Sequence, residues 1–182
     1  YYSKPIYVLP QGKIIVTNEL YNKMNKPEEL SMKELIENFD FRFGGIENAW
    51  YYPIDISKHK TQNNVTMLST SSPIINLLSM MKKNRIDWIY DYNVFVKWEA
   101  FLNENYENIF KTIKVKETKK LPQSVTYIAC SRNDFGKSVI EKINKGLTKE
   151  TILKLRPAIR KWQLDENTKK EFDILNKTLL GY

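Results

Sequence analysis

The chain has 182 residues, 42% of them hydrophobic, with six Gly and seven Pro, the composition of an ordered globular protein rather than a disordered or fibrous one. One Cys and one His exclude an intramolecular disulfide and any Cys/His zinc pattern. The net charge of +8 comes from 29 basic and 21 acidic residues that interleave along most of the chain, so nucleic acid is not expected as a partner despite the basic balance.

The opening Pro5-Ile6-Tyr7-Val8-Leu9-Pro10 and Lys13-Ile14-Ile15-Val16-Thr17 read as two extended segments rich in β-branched and aromatic residues, parted by a Gln11-Gly12 turn. Mostly polar residues from Asn18 to Glu28 read as a connector. Ser31-Met32-Lys33-Glu34 has the capping-box arrangement, in which the Ser hydroxyl accepts from the third amide while the Glu reaches back, and it starts a helix from Met32 to Asn38. A strand from Phe39 to Phe43 follows and ends at Gly44-Gly45. Pro53 suits the first turn of a helix carrying Ile54 to Lys58.

Val65 to Leu68 reads as the next strand, and Ser69-Thr70-Ser71-Ser72 before Pro73 as a helix start with Ser72 as N-cap. Ile74, Ile75, Leu77, Leu78 and Met81 recur at helical spacing and face a core. The helix closes near Asn84, a residue able to take the left-handed conformation, and Ile86 to Tyr90 forms a strand. A helix over Asn93 to Leu102 follows. The basic run Lys114 to Lys120 leads through Leu121-Pro122 to a strand over Val125 to Cys130. Three helices close the chain: Asp134 to Gly146, Thr148 to about Leu155, and Glu166 to Leu180, the last with Phe172, Leu175 and Leu179 on one face.

This alternation of strand and helix argues for an α/β unit with a mainly parallel sheet. No apolar run approaches the ~20 residues that cross a bilayer, so no membrane insertion is expected. Cys130 lies in the strand-like run and reads as a packed, inert thiol, and His59, between Lys58 and Lys60, as a solvated helix-end residue. No cofactor and no metal are implied.

The step Lys83-Asn84-Arg85-Ile86-Asp87-Trp88-Ile89-Tyr90-Asp91-Tyr92 resembles the "G-R-x-D-a-v" segment of bacterial solute-binding proteins, with Asn84 where that pattern usually has Gly. Tyr2-Ser3-Lys4-Pro5-Ile6-Tyr7 resembles the "F-S-x-P-Y" segment at an interlobe crossing. Phe41-Arg42-Phe43-Gly44 with Glu47-Asn48-Ala49-Trp50-Tyr51 resembles the strand and ligand loop. Val125 to Arg132 with Gly136 to Asn144 resembles the returning strand and the "I-x-x-I-N" helix. In this order and spacing the chain is similar to the family 3, or type 2, periplasmic solute-binding proteins.

The resemblance implies an α/β type 2 periplasmic-binding-protein-like second lobe with a mainly parallel sheet flanked by helices, plus carboxyl-terminal helices of an incomplete first lobe. It places the end of that lobe and the first crossing in residues 1–14, the second lobe in 15–122, and the return crossing with the terminal helices in 123–182. In the family a first lobe of βα units precedes the first crossing, so an amino-terminal truncation is implied, with the export signal in the missing part. Apolar surface is then expected beyond residue 123.

The function implied is extracytoplasmic binding of a small solute in an interlobe crevice, as the substrate-binding component of an ABC-type importer with a membrane permease as partner. Helix starts at such a crevice favour anionic groups. The candidate ligand-binding residues are Glu47, Asn48, Trp50, Tyr51, Ser71, Ser72, Asp91 and Tyr92. Amino-acid binders of the family place an acid five residues after the Asp of "R-x-D"; here that position is Tyr92, with Asp91 one earlier, and adjacent strand residues point to opposite faces. Two alternatives stay open: the sensory module of a signalling receptor, and a dehydratase- or lytic-transglycosylase-like enzyme with Glu47 and Asp91 as its crevice acids. A non-enzymatic binder is the expectation, because no nucleophile and base can be assembled from the motifs.

Overall fold

The computed structural model describes residues 1–38, 40–49, 52–102, 109–121, 124–163 and 165–181. The chain divides into two units, one of Gly12–Leu121 and one that joins Tyr1–Gln11 to Pro122–Tyr182.

The Gly12–Leu121 unit is built on a six-stranded sheet. Its strands are β2 (Lys13–Thr17), β3 (Glu29–Leu30), β4 (Phe43–Ile46), β5 (Val65–Leu68), β6 (Trp88–Asp91) and β7 (Phe110–Val115), in the order β3-β7-β2-β6-β4-β5. The pairs β3/β7, β6/β4 and β4/β5 are parallel, whereas β2 runs antiparallel to β6 and β7. The α/β class and the mixed, mostly parallel sheet are therefore as expected. Reversal of a single strand leaves the carboxyl ends of β4, β5 and β6 along one edge.

One face of the sheet buries Ile14, Val16, Phe43, Trp88, Tyr90, Ile113 and Val115 under Met32, Leu35 and Ile36 of α2 (Met32–Glu37). On the other face α3 (Pro73–Lys82) buries Leu77, Leu78 and Met81, and α4 (Asn93–Leu102) buries Val96. The glycines of β4 were expected to end a strand, but they lie inside it. A Cβ on Gly44 would stand 2.3 Å from Ile86 Cδ1 and 2.8 Å from Leu77 Cδ2, so glycine lets this packing approach the backbone. The strand expected over Phe39 to Phe43 thus moves to Phe43–Ile46, and Phe39 lies outside the described residues.

Three elements were not anticipated, the two-residue β3 among them. The stretch read as a connector contains α1 (Asn18–Lys23), capped by Thr17 and carrying a Glu19–Lys23 pair, yet it has no fully buried residue to mark a helical period. The stretch leading into the basic run, and its first two residues, form β7, whose Lys111 and Lys114 are exposed while Phe110, Ile113 and Val115 are buried. Its burial does not alternate, because Lys111 and Lys114 point to opposite faces, so no period-2 pattern marked the strand.

The capping box at α2 is half realised. Ser31 Oγ accepts from the Glu34 amide at 3.1 Å as expected, but Glu34 lies 3.5 Å from Lys116. Glu117, more than eighty residues on, accepts instead from Ser31 Oγ, Met32 N and Lys33 N.

In the other unit β1 (Tyr7–Leu9) pairs antiparallel with β8 (Ser124–Thr126), and three helices follow: α5 (Asp134–Gly146), α6 (Lys149–Arg160) and α7 (Glu166–Leu180). The strand expected over Val125 to Cys130 is shorter, and Ala129 makes a separate bridge to Tyr2. Helix α6 runs past Leu155 through Pro157, its far half tied to α7 by Arg160–Asp173 at 2.8 Å. The buried face of α7 is Thr168, Phe172 and Asn176 at i, i+4 and i+8, whereas Leu179 is exposed. Asn176 is fully buried because its side chain completes the β1 backbone: Oδ1 accepts from Val8 N at 2.9 Å and Nδ2 donates to Val8 O at 2.8 Å. Tyr127, Ile128, Phe135, Leu153, Leu155 and Ile174 are also exposed, the apolar surface expected beyond residue 123.

Candidate functional site

The carboxyl edge of β6-β4-β5 gathers the loops that carry most of the candidate residues. β4 pairs with β5 along its whole length, but its ladder to β6 stops at Gly44↔Ile89. The Ile46 amide, on that side, donates to the Tyr52 hydroxyl at 2.7 Å. The chain leaves β4 in a turn that holds Asn48 at φ 59, in the left-handed region Asn tolerates, and the Glu47 amide donates to Leu68 O at 2.9 Å. Together these contacts lock the loop onto the ends of β4 and β5.

Below this loop lies a cavity of about 460 Å³, within the range of small-ligand sites. Its apolar wall is Ile46, Ala49, Ile54, Ile56 and Met67, with the Tyr52 ring edge-on to Phe43, 6.0 Å between centroids. Its polar groups are Asn48, Asp55, Ser57 and Lys60. Asp55 caps a 3-10 helix over Ile56–His59, accepting from Ser57 N at 3.1 Å and Ser57 Oγ at 2.5 Å. These bonds, the hydroxyl first, hold its carboxyl below the ordinary value, with Lys58 3.5 Å away adding to the effect. Asp55 is an anion at neutral pH and is suited to a cationic or hydrogen-bond-donating group, not to proton donation.

Of the candidate residues, Asn48 lines the cavity and Glu47 stands exposed on the same turn. Trp50 and Tyr51 lie outside the described residues. Ser71 and Ser72 are exposed ahead of α3; Ser72 occupies the N-cap position but makes no side-chain cap bond, because its φ of −136 and ψ of 64 depart from the extended geometry of the other caps. Asn76 instead donates to Thr70 Oγ1 at 3.1 Å, which ties that loop to the helix. Asp91 is 2% exposed, opposite Lys13 in the β2/β6 register, and its Oδ1 accepts from the Tyr92 amide at 2.6 Å. Tyr92 is half-buried, its ring edge-on to Phe95.

The Asp of the "R-x-D" step has a structural task. Arg42 grips Asp87 through Nε and an Nη, both at 2.9 Å, and its backbone amide donates to the same carboxylate at 2.8 Å. Burial works upward on the Asp87 carboxyl, but the Arg42 hydrogen bonds outweigh it and leave the group below its ordinary value. This joins the amino ends of β4 and β6.

Sequence reasoning did not single out Ile54, Asp55, Ser57, Lys60 or Met67. The available signal was Asp55 two residues before Ser57, an Asx-type cap that starts the 3-10 helix at Ile56, three residues after the helix start assigned to Pro53. His59 ends that helix but is not solvated at Nδ1, which is buried with no hydrogen-bond partner among the described residues. Among those residues no group of three or more His, Cys, Asp or Glu could hold a metal ion, and no helix is long and apolar enough to cross a membrane.

No protein-family model matches the chain, and no curated protein matches it. Solved structures do. The periplasmic binding protein XoxJ from Methylobacterium extorquens AM1 matches with TM-score 0.60 at 13% identity, over 90% of this chain and 71% of that one. The amino-acid ABC transporter substrate-binding protein AbpA from Streptococcus pneumoniae, bound to L-arginine, matches with TM-score 0.52 at 15% identity, over 93% and 61%. The GluR0 ligand-binding core in complex with L-glutamate matches with TM-score 0.54 at 8% identity, over 89% and 63%. The chain thus has part of the periplasmic-binding-protein fold, and it spans less than two thirds of the latter two proteins.

Proposed function

We propose that this chain belongs to an extracytoplasmic solute-binding protein, the substrate-binding component of an ABC-type importer, which holds a small polar solute at the carboxyl edge of β4, β5 and β6. The observation that carries the reading is a cavity against β4 and β5, lined by Ile46 and Met67, with an apolar wall and a rim of Asn48, Asp55, Ser57 and Lys60. Open α/β sheets bind ligands at such an edge because strand ends and following turns present backbone and side-chain polar groups to one crevice. Asn48, Asp55 and Lys60 orient the solute, Tyr52 supplies an aromatic wall, and Glu47, Ser71, Ser72 and Tyr92 close the rim; Trp50 and Tyr51 are further ligand candidates by sequence alone. Asp91 acts from beneath by fixing the Tyr92 amide.

The solute binds without being transformed. No activated nucleophile stands at this edge among the described residues, and the Asp55 carboxyl is held ionised. The role places the protein outside the cytoplasmic membrane beside a permease, with an export signal on its precursor. Residues 1–14, 15–122 and 123–182 serve as first crossing, second lobe, and return crossing with first-lobe helices. Likeness to the GluR0 ligand-binding core favours one second reading, the ligand-binding module of a receptor.

A thermal-shift panel of amino acids, sugars and organic anions tests the reading, because a ligand of the folded state raises the melting temperature with dose. A dose-dependent rise with one class, lost in Asp55→Asn with Lys60→Met, is expected. A flat response across the panel, with the natural full-length protein folded, would overturn it.

A further inference from the structure

Helix α4 buries Val96 and Asn93 against its unit, yet its opposite side is as apolar as a core face. Phe95, Trp98, Phe101 and Leu102 are 48%, 45%, 64% and 55% exposed. Phe95, Trp98 and Leu102 recur at steps of three and four and therefore form one stripe along the outer surface of the helix, with the Phe101 ring 6.3 Å from that of Trp98. Exposed single apolar residues need no explanation, but two phenylalanines, a tryptophan and a leucine on three turns do.

The surroundings of the stripe are basic. α3 packs against α4, and both return from the carboxyl edge of the sheet towards its amino edge, because each follows one parallel strand and precedes another. The exposed Lys82, Lys83 and Arg85 at the end of α3 therefore flank the Phe101–Leu102 end of α4. The helix itself adds one cation and one anion, Lys97 and Glu99, so this rim sets the sign, as does the chain's net charge of +8.

We propose that the α4 face docks on an anionic phospholipid surface, with the four apolar side chains entering the interfacial layer and the Lys82, Lys83 and Arg85 rim engaging headgroups. Charge complementarity selects this occupant. A second copy of the chain would bring the same cations together, whereas an anionic bilayer neutralises them while accepting aromatic side chains at its interface. The ten-residue helix is too short to cross, so the contact is peripheral. The proposal uses none of the residues that line the cavity and meets the solute-binding reading only where the Phe95 ring packs on Tyr92.

The experiment is flotation of the protein with phosphatidylcholine vesicles and with vesicles containing phosphatidylglycerol, at low and high salt, with melting curves as folding controls. Flotation with the anionic vesicles that weakens with salt is expected. Phe95→Ser with Trp98→Ser should reduce partitioning about tenfold. Lys83→Gln with Arg85→Gln should reduce it about fivefold per cation removed, and only on anionic vesicles. Absence of flotation, or flotation untouched by both variants, would overturn the proposal. So would a concentration-dependent dimer in sedimentation that Trp98→Ser abolishes, which would assign the face to a second copy.

Discussion

Removal of the Glu117 carboxylate isolates the tie between the two ends of the Gly12–Leu121 unit. Glu117 accepts from Ser31 Oγ at 2.6 Å and from the Met32 and Lys33 amides, both at 3.0 Å, which are the first two donors of α2 and lack intrahelical partners. Water can reach this helix start, so each lost bond is worth less than a buried charge-assisted one. Summed with the favourable position of an anion at a helix amino end, Glu117→Ala is expected to cost about 2 kcal/mol and Glu117→Gln about 1 kcal/mol. Burial works upward on the Glu117 carboxyl, but the Ser31, Lys33 and Met32 hydrogen bonds outweigh it and hold the group below its ordinary value of 4.5.

A depressed folded-state pKa means that the unfolded chain takes up the proton first as pH falls. The stabilisation is thus complete above 4.5 and is lost as pH drops through the folded-state value. The assay is urea unfolding followed by tryptophan emission, since Trp50, Trp88 and Trp98 fall in this unit and Trp88 is fully buried. The gap between the native chain and Glu117→Gln should be widest at neutral pH and narrow as pH falls below 4.5. A gap below about 0.3 kcal/mol at pH 7, or one that stays constant down to acid, would refute the reasoning.

Asn176→Leu should destabilise the other unit by about 3 kcal/mol, because the Val8 amide and carbonyl both lose their side-chain partner in a buried setting; faster hydrogen exchange at the Val8 amide checks it. Gly136→Ala should cost a similar ~3 kcal/mol in thermal or urea unfolding, since the new Cβ would stand 2.0 Å from the Ser131 carbonyl oxygen and no rotamer change relieves a backbone clash. A variant as stable as the parent would show that the loop before α5 yields freely.

Local chemistry made much of the architecture readable. Val65–Leu68, Asn93–Leu102, Asp134–Gly146 and Glu166–Leu180 emerge from period, caps and breakers at the bounds they have in the structure. Asn84, at φ 54, closes α3 as its residue type suggested. The order of strands and helices also carried the α/β class, because each strand that precedes an amphipathic helix can add to a parallel sheet.

Tertiary structure decided whatever depends on partners distant in sequence. Nothing around Met32 announces that Glu117 receives its amide, and nothing in α7 distinguishes Asn176, a polar residue at a core position, from a solvated one. The glycines of β4 looked like a turn because the strand-end signal is local, while the Ile86 and Leu77 side chains that crowd Gly44 lie more than thirty residues away. The candidate edge divides in the same way: the polar loops after β4 and β5 could be named, but the cavity wall of Tyr52, Ile54 and Met67 exists only once the loop folds back onto the strand ends. Period, capping and turn chemistry act over a few residues and are written in the chain, whereas burial and shape are properties of the assembled neighbours.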